Sequence, residues 1–333
     1  MQALPRRLHT ISLLSLPPKH VNRIQIPSPT WLHNDLARSF HTTGRLRALE
    51  LAFDYHENGG KAQGAPIVFL HGLFGSKKNN RSISKALARD LSRPVYAVDL
   101  RNHGDSPHDK THNYIALAED VENFLQQHKL KNVTLIGHSM GAKTVMTMAL
   151  RDPGCCSNII AVDNAPVDAA LASDFPRYVE GMRKIEDAKV KSQREADAIL
   201  EPYAKDLPVR QFLLTNLIRT APNEPLKFRI PVRTLAHSLD DMADFPFNNP
   251  DEVHFSKPAL FVRGIKSHYV SDETLPIIGR FFPRFELVDI NSGHWVVSES
   301  PEEFRKGMLQ PNPVYILKWF TLRLNILICS SRC

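Results

Sequence analysis

The chain has 333 residues, 42% of them apolar, which suffices for one large α/β domain with an insertion or for two small domains. Its net charge is +7, but most of that charge lies in residues 1–47, which carry seven basic side chains and one acid. The rest of the chain is nearly neutral and offers no extended basic face, which argues against nucleic-acid binding.

The first 47 residues are rich in Arg, Ser, Thr and Leu, the composition of a mitochondrial transit peptide. Residues 38–43 also resemble the two-step processing pattern of matrix proteins, which implies cleavage after Ser39 and then after Arg47. We therefore expect a mitochondrial protein whose mature chain begins at Ala48. A basic leader without a targeting role is the alternative.

From residue 49 onward, short apolar runs alternate with helical patterns. This alternation predicts an α/β fold with a mostly parallel sheet flanked by helices. Strands are predicted at 49–55, 66–70, 95–100, 133–136, 159–162, 259–262 and 285–290. Helices are predicted at 81–91, 115–128 and 140–151.

Two loops follow early strands. Residues 71–75, His-Gly-Leu-Phe-Gly, come directly after the strand at 66–70. They are either an ordinary glycine-rich turn or a loop that turns a backbone amide toward a reaction site. Residues 99–106 follow the strand at 95–100, and we interpret their Arg and Asp as a scaffold that ties the loops together, in preference to a ligand site.

The pentapeptide 137–141, Gly-His-Ser-Met-Gly, lies between a predicted strand and a predicted helix. Such a strand–turn–helix holds the serine at its tip in a strained conformation with the hydroxyl above the sheet. The flanking glycines are required because a Cβ there would collide with neighbouring backbone. Ser139 is therefore the predicted nucleophile.

Attack by Ser139 on a carbonyl creates an oxyanion, which needs two backbone N–H donors already in place. In enzymes with this turn, the donors come from the residue after the serine and from the loop after an earlier strand. The predicted donors are the amides of Met140 and Leu73, with Phe74 as the fallback for Leu73.

A serine hydroxyl is a weak nucleophile at neutral pH and needs a base within hydrogen-bond reach. Of the 15 histidines, His294 follows the predicted strand 285–290 and a short turn. It therefore lies at the C-terminal edge of the sheet, the edge that also carries Ser139. We predict His294 as the base and interpret His71 and His138 as structural.

Two carboxylates compete to orient the imidazole. Asp163 ends the strand that follows the serine, whereas Asp272 lies beyond the strand on which most enzymes of this type carry their acid. Ser267 occupies the usual acid position there, and this displacement of Asp272 favours Asp163. Asp240 and Asp241 are more distant choices.

Residues 168–250 are more charged and helical in pattern, which predicts a helical cap inserted after the strand at 159–162 and resting on the mouth of the sheet. A capping box at 192–195 predicts a helix through Leu200, and 208–218 predicts a second one. The hydrolase domain is expected to span 48–306.

Residues 307–333 are expected to form an atypical C-terminal tail. Its most apolar stretch, 314–329, is too short and too charged for a membrane span. The four cysteines form no disulfide framework, and no His or Cys spacing suggests a metal site. We therefore expect no metal, no cofactor and no integral membrane span.

With these motifs in order, residues 49–306 resemble the α/β-hydrolase superfamily. Segments 71–76, 101–106, 137–141, 163–166 and 292–295 are similar to the branch that holds mitochondrial α/β-hydrolase domain protein 11 and the yeast ethanol acetyltransferases. The resemblance implies a mitochondrial esterase, thioesterase or alcohol acetyltransferase with its acid at Asp163.

The leading hypothesis is a monomeric serine hydrolase that cleaves a small acyl ester or acyl-CoA through an acyl-enzyme. One alternative is an alcohol O-acetyltransferase that makes acetate esters from acetyl-CoA. The other is an inactive scaffold that binds a partner protein through its cap.

Overall fold

The computed structural model describes residues 48–60, 62–168 and 174–309. Within them a seven-stranded sheet has the order β1-β3-β2-β4-β5-β8-β9. All neighbouring strands are parallel except β1, which runs antiparallel to β3. The strands are β1 (Phe53–His56), β2 (Ile67–Leu70), β3 (Val95–Val98), β4 (Thr134–His138), β5 (Asn158–Val162), β6 (Leu217–Arg219), β7 (Leu226–Phe228), β8 (Ala259–Gly264) and β9 (Phe285–Ile290). The predicted α/β fold with a mostly parallel sheet is confirmed.

Helices cover both faces of this sheet. Those described are α1 (Arg81–Leu91), α2 (Tyr114–Gln127), α3 (Met140–Arg151), α4 (Phe175–Ala188), α5 (Gln193–Leu200), α6 (Leu207–Leu214), α7 (Val232–His237), α8 (Leu239–Ala243), α9 (Leu275–Phe281), α10 (Val296–Glu299) and α11 (Pro301–Leu309). Buried side chains of α1 and α11 share one apolar cluster, and those of α2, α3 and α9 share the other.

The strand β2 illustrates why the sheet needs both layers. Its four residues are fully buried, with Ile67 and Phe69 in the cluster of α1 and α11 and with Val68 and Leu70 in the cluster of α2 and α3. Side chains alternate between faces along a strand, so a run without polar residues must be covered on both sides.

The first predicted strand begins later than expected, at Phe53, because preceding amides have side-chain partners. The N–H of Leu49 donates to Asp120 at 2.7 Å, and that of Ala52 donates to Ser106 at 2.8 Å. Similarly β3 ends at Val98, before Leu100, whose N–H donates to Nε2 of His71 at 3.0 Å. These partners lie far along the chain, so local sequence does not reveal them.

Between β5 and β8 the chain forms α4 to α8 and a two-stranded antiparallel sheet, β6–β7. The capping box is present: Ser192 accepts from the N–H of Glu195, whose carboxylate accepts from Lys191. The prediction of one helix over 208–218 is wrong at its end. The helix stops at Leu214, because Leu217–Arg219 pairs with Leu226–Phe228.

At the C-terminal side, α11 buries Phe304 and Met308 and extends to Leu309, past the expected boundary at 306. The predicted leader 1–47 and the tail from residue 310 lie outside the described residues. In the part of the chain that the structure describes, no helix combines the length and apolar character that a bilayer crossing requires.

Candidate active site

A tight turn carries Ser139 between β4 and α3. Its backbone, with φ 55° and ψ −114°, lies outside the helical and extended regions, and its N–H donates to the carbonyl of Val162 at 2.9 Å. A Cβ on Gly137 would overlap the carbonyl of Gly141, and one on Gly141 would lie 2.7 Å from the carbonyl oxygen of Leu70. Only glycine therefore lets α3 start this close to β2 and β4.

Ser139, His294 and Asp163 form a continuous hydrogen-bonded chain. Oγ of Ser139 lies 2.8 Å from Nε2 of His294, and Nδ1 of His294 lies 2.7 Å from Oδ2 of Asp163. Asp163 is fully buried, whereas the imidazole is partly exposed. The three side chains come from the C-terminal ends of β4, β5 and β9, which share one edge of the sheet.

Asp163 is held by backbone as well as by side chains. It has φ 52°, and its N–H donates to Val262 at 2.8 Å. Oδ1 accepts from the N–H of Gly264 at 3.0 Å, while Oδ2 accepts from Oγ of Ser267 at 2.5 Å as well as from His294. A carboxylate with this many donors stays in one orientation.

The alternative acids lie elsewhere. Asp272 pairs with Arg263 at 2.6 Å on the surface, where its side chain is 81% exposed. Asp240 lines the mouth of the cavity above Ser139, and Asp241 is exposed on α8. Of the candidate carboxylates, the structure brings Asp163 to the imidazole.

The loop at residues 71–75 reaches the same site. The side chains or backbone of Leu73 and Met140 line the cavity beside Ser139. The N–H of Phe74 donates to Nε2 of His103 at 3.0 Å, so this amide already has a partner inside the fold. The fallback choice of Phe74 as a donor is therefore wrong, and Leu73 remains the candidate from this loop.

Neutral histidines support that loop from below. Nε2 of His71 accepts from Leu100, so Nδ1 donates to the carbonyl of Gly72, and His103 is bonded in the same way between Phe74 and Arg101. Burial lowers the pKa of both imidazoles, which keeps each as an acceptor for a backbone amide.

His138 supports the imidazole of His294. Nε2 of His138 lies 2.7 Å from the carbonyl oxygen of His294 and donates to it. Burial, with the neighbouring His294 as a smaller cause, lowers the pKa of His138 to about 4. The interpretation of His138 as structural agrees with these contacts.

The loop at residues 99–106 is bonded into the protein through Asp99 and Arg101. Asp99 accepts from the backbone and the ammonium of Lys77, and Arg101 forms a two-point ion pair with buried Asp120 at 2.6 and 2.8 Å. Both acids are thus committed to the fold. This agrees with the interpretation of the loop as a scaffold.

The cavity over Ser139 encloses about 580 Å³ including its opening to solvent. The cap forms part of its wall through α4 and α8. The rest comes from the loop at 71–75, the start of α2, the segments after β5 and β8, and the tight turn at 137–141, the elbow. Its lining is mainly apolar: Leu73, Tyr114, Met140, Phe175, Pro176, Leu239, Met242, Ala243 and Tyr269, with Ser139, Asn164 and Asp240. Among the described residues, no group of three or more His, Cys, Asp or Glu is arranged to hold a metal ion.

Lys143 joins the cap to the sheet domain, a contact that the sequence did not suggest. Its ammonium lies inside the protein and donates to the carbonyls of Val167, Ala243 and Asp244 at 2.5–2.9 Å. Burial lowers the pKa of Lys143 to about 8. Three carbonyl partners compensate for removing this charge from water.

The loop after β8 also holds two residues that sequence reasoning did not place in the site. Ser267 bonds Asp163, and the ring of Tyr269 stacks on the imidazole of His294 with centroids 4.1 Å apart. In the sequence, Ser267 stands out only as the residue at the usual acid position. Neither contact has a local sequence signal.

Comparison with known proteins gives consistent matches. Residues 65–301 match the family described as the alpha/beta hydrolase fold. The chain is 42% identical over 260 residues to a Saccharomyces cerevisiae protein named "Probable alcohol acetyltransferase", covering 73% of this chain and 76% of the relative. It is 39% identical over 268 residues to the sn-1-specific diacylglycerol lipase ABHD11 of Xenopus laevis, covering 79% and 83%. A marine microorganism esterase of known structure is similar with a TM-score of 0.73 and 30% identity, covering 79% of this chain and 99% of that one.

Proposed function

The chain belongs to the α/β-hydrolase family and is an enzyme that acts on esters, and on that premise we propose that Ser139, His294 and Asp163 are its catalytic triad. The predicted family, its branch and the enzyme class are confirmed by these relatives. An inactive scaffold has no support among them. The observation that carries the proposal is the hydrogen-bonded chain from Oγ of Ser139 through both imidazole nitrogens to Asp163.

The proposed reaction begins with the neutral imidazole. Because Asp163 is a carboxylate acceptor at Nδ1, the ring proton lies on Nδ1 and Nε2 is free to accept from Ser139. As Oγ attacks the ester carbonyl, its proton passes to Nε2, and Asp163 stabilises the imidazolium. His294 then gives this proton to the leaving alcohol, which leaves an acyl group on Ser139.

Water completes the cycle by the reverse sequence. It gives a proton to Nε2 of His294 as its oxygen attacks the acyl carbonyl, and the imidazolium returns that proton to Oγ of Ser139. The negative charge on the carbonyl oxygen is stabilised at both stages by the backbone amides of Met140 and Leu73. Each such donor is typically worth ~10²–10³ in rate.

The proposed substrate is a short-chain acyl ester. The cavity is lined mainly by apolar side chains, and Asp240 is the charged member of that lining. An apolar wall favours an uncharged acyl group because burying an unpaired charge is costly.

Pre-steady-state kinetics test the proposal. Mixing the enzyme with excess 4-nitrophenyl acetate should release one nitrophenolate per active site in a rapid burst, followed by slower turnover as the acyl-enzyme hydrolyses. Ser139→Ala should show neither phase. A wild-type enzyme that turns over without a burst and with an intact Ser139→Ala activity would contradict the proposal.

A second candidate is an alcohol O-acetyltransferase, favoured by the 42% identity to the yeast relative of that name. In the first step the acyl donor is acetyl-CoA and the thiol of CoA leaves with the proton from His294; in the second step an alcohol replaces water as the acceptor of the acyl group. Incubation with acetyl-CoA and ethanol distinguishes the two: ethyl acetate indicates the transferase, and acetate alone indicates a thioesterase. Diacylglycerol belongs in the same panel because one relative is named for cleaving it.

We also propose a mitochondrial location from the basic, acid-poor composition of residues 1–47. Mass spectrometry of the protein recovered from cells should find an N-terminus at Ala48. An intact Met1 would count against import.

A further inference from the structure

The hydroxyl of Ser267 and the imidazole of His294, the proposed base, both donate to the same carboxylate oxygen of Asp163. Oδ2 of Asp163 accepts from Ser267 Oγ at 2.5 Å and from His294 Nδ1 at 2.7 Å. The N–H of Tyr269 in turn points to Oγ of Ser267 at 3.3 Å. The hydroxyl therefore accepts from the backbone and must aim its own proton at the carboxylate.

The loop that carries Ser267 is fixed to the end of β9, close to His294. The N–H groups of Ile265 and Lys266 donate to the carbonyls of Ile290 and Ser292 at 3.0 Å each, and the N–H of Ser267 donates to Gly264 at 2.9 Å. These backbone contacts fix the position of the Ser267 hydroxyl relative to Asp163 and His294.

We propose that Ser267 is a positioning residue that acts through Asp163 to limit how tightly the acid holds the imidazolium of His294. The proposal rests on the proposed function, since it assumes that His294 is the base. The Ser267 hydroxyl donates to Asp163 and not to the imidazole. Its effect passes through the shared oxygen, and the ring of Tyr269, stacked on His294, holds the imidazole from the same loop.

The direction of the effect follows from the hydroxyl dipole. A hydroxyl whose proton points at Oδ2 places positive charge on the side of the acid remote from the imidazole. That charge opposes a proton on His294, so removing the hydroxyl stabilises the imidazolium. Among the described residues, His138, which donates to the backbone of His294, and Tyr269, which stacks on its ring, also face this imidazole, and the carboxylate of Glu299 accepts from the N–H groups of Gly293 and Trp295 beside it. All three remain in the variants.

A pair of variants isolates the hydroxyl. Ser267→Thr keeps it, and Ser267→Val has nearly the same shape without it. The position is only partly buried, which favours accommodation of the added methyl groups. Ser192→Ala serves as a control, because it removes a serine hydrogen bond on the surface of the cap. For each variant, kcat/KM for 4-nitrophenyl acetate is measured from pH 5 to 9 and divided by the burst amplitude.

The acidic limb of kcat/KM reports protonation of the base in the free enzyme. In Ser267→Val this limb should move up by about half a pH unit, because the imidazolium is more stable. The kcat per active site should nevertheless fall by roughly tenfold, because the loss of the charge-assisted hydrogen bond leaves the acid poorly oriented, and this outweighs the gain. Ser267→Thr should keep the wild-type limb and most of kcat. Ser192→Ala should match the wild type in both.

Identical limbs in the Thr and Val variants would overturn the proposal, as would a Val variant whose burst-corrected kcat and limb match the wild type. A purely structural role would lower the burst amplitude without moving the limb, and that result also rejects it. If the proposed function itself fails, the wild type shows no burst, so the two failures are distinguishable.

Discussion

Replacing Asp163 by Asn removes the charge of the buried acid and keeps its size. Oδ1 faces the N–H of Gly264 at 3.0 Å, so the amide of the variant places its oxygen there. Its NH₂ group then faces Nδ1 of His294, where the wild type has an acceptor at 2.7 Å. This forces the imidazole proton onto Nε2, the nitrogen that must accept from Ser139.

The wrong tautomer and the missing charge together should lower kcat by ~10⁴, the loss expected when a triad acid becomes an amide. This corresponds to about 5.5 kcal/mol of transition-state stabilisation. The measurement is steady-state hydrolysis of 4-nitrophenyl acetate, with thermal unfolding followed by circular dichroism to show that the variant is folded.

Asp272→Asn is the matched control, because it removes the rival acid. Its carboxylate is 81% exposed, and its partner Arg263 keeps a two-point contact with Asp289. Surface pairs of this kind contribute about 0–1 kcal/mol, so activity should change less than about threefold. The assignment of Asp163 as the triad acid is contradicted if Asp163→Asn keeps more than a tenth of the wild-type kcat, or if kcat falls as far in Asp272→Asn as in Asp163→Asn.

Three further predictions concern stability. Gly141→Ala should destabilise the fold by about 3 kcal/mol or more, because the new Cβ would lie 2.7 Å from the carbonyl oxygen of Leu70. Gly307→Ala is the control, because its new Cβ makes only ordinary contacts and should cost nothing measurable in thermal melts. Equal melting temperatures of the two variants would contradict this. Arg101→Met leaves Asp120 buried without its two-point partner and should lower the free energy of unfolding, measured in urea, by about 3–5 kcal/mol. Adding Asp120→Leu should restore part of that loss, and no recovery in the double variant would contradict the buried ion pair. Burial lowers the pKa of His112 to about 3 and of His138 to about 4. Between pH 6.5 and 4 these histidines therefore bind protons in the unfolded chain but stay neutral in the folded chain. As pH falls from 6.5 to 4, each histidine should therefore lower the free energy of unfolding by about 1.4 kcal/mol per pH unit. His112→Gln should reduce this slope by the contribution of one histidine. An unchanged slope would be inconsistent with a neutral His112.

The elbow and the sheet were predictable because their signals are local. The serine between two glycines follows a strand and precedes a helix, and His294 follows the last strand, so the sequence alone places both at one edge of the sheet. The strand β2 was predictable because it is a run of four apolar residues. In each case the physical requirement, burial on both faces or absence of a Cβ, acts on neighbouring residues.

The remaining features depend on contacts between distant segments. The hairpin β6–β7 appears in place of the end of a predicted helix, because Leu217 pairs with Phe228. The N–H of Phe74 donates to His103, which lies 29 positions further along the chain. Lys143 reaches the cap carbonyls from 100 positions away, and Ser267 reaches Asp163 across 104. No pattern within a local window encodes these pairs.

Covalent labelling of Ser139 tests the central claim most directly. A fluorophosphonate reacts with a serine only when a neighbouring base activates it, so peptide mass spectrometry of the labelled wild type should find the adduct on Ser139. Ser139→Ala should remain unlabelled, and His294→Ala should react far more slowly. An unlabelled wild type, or an adduct on another residue that persists in Ser139→Ala, would contradict the account.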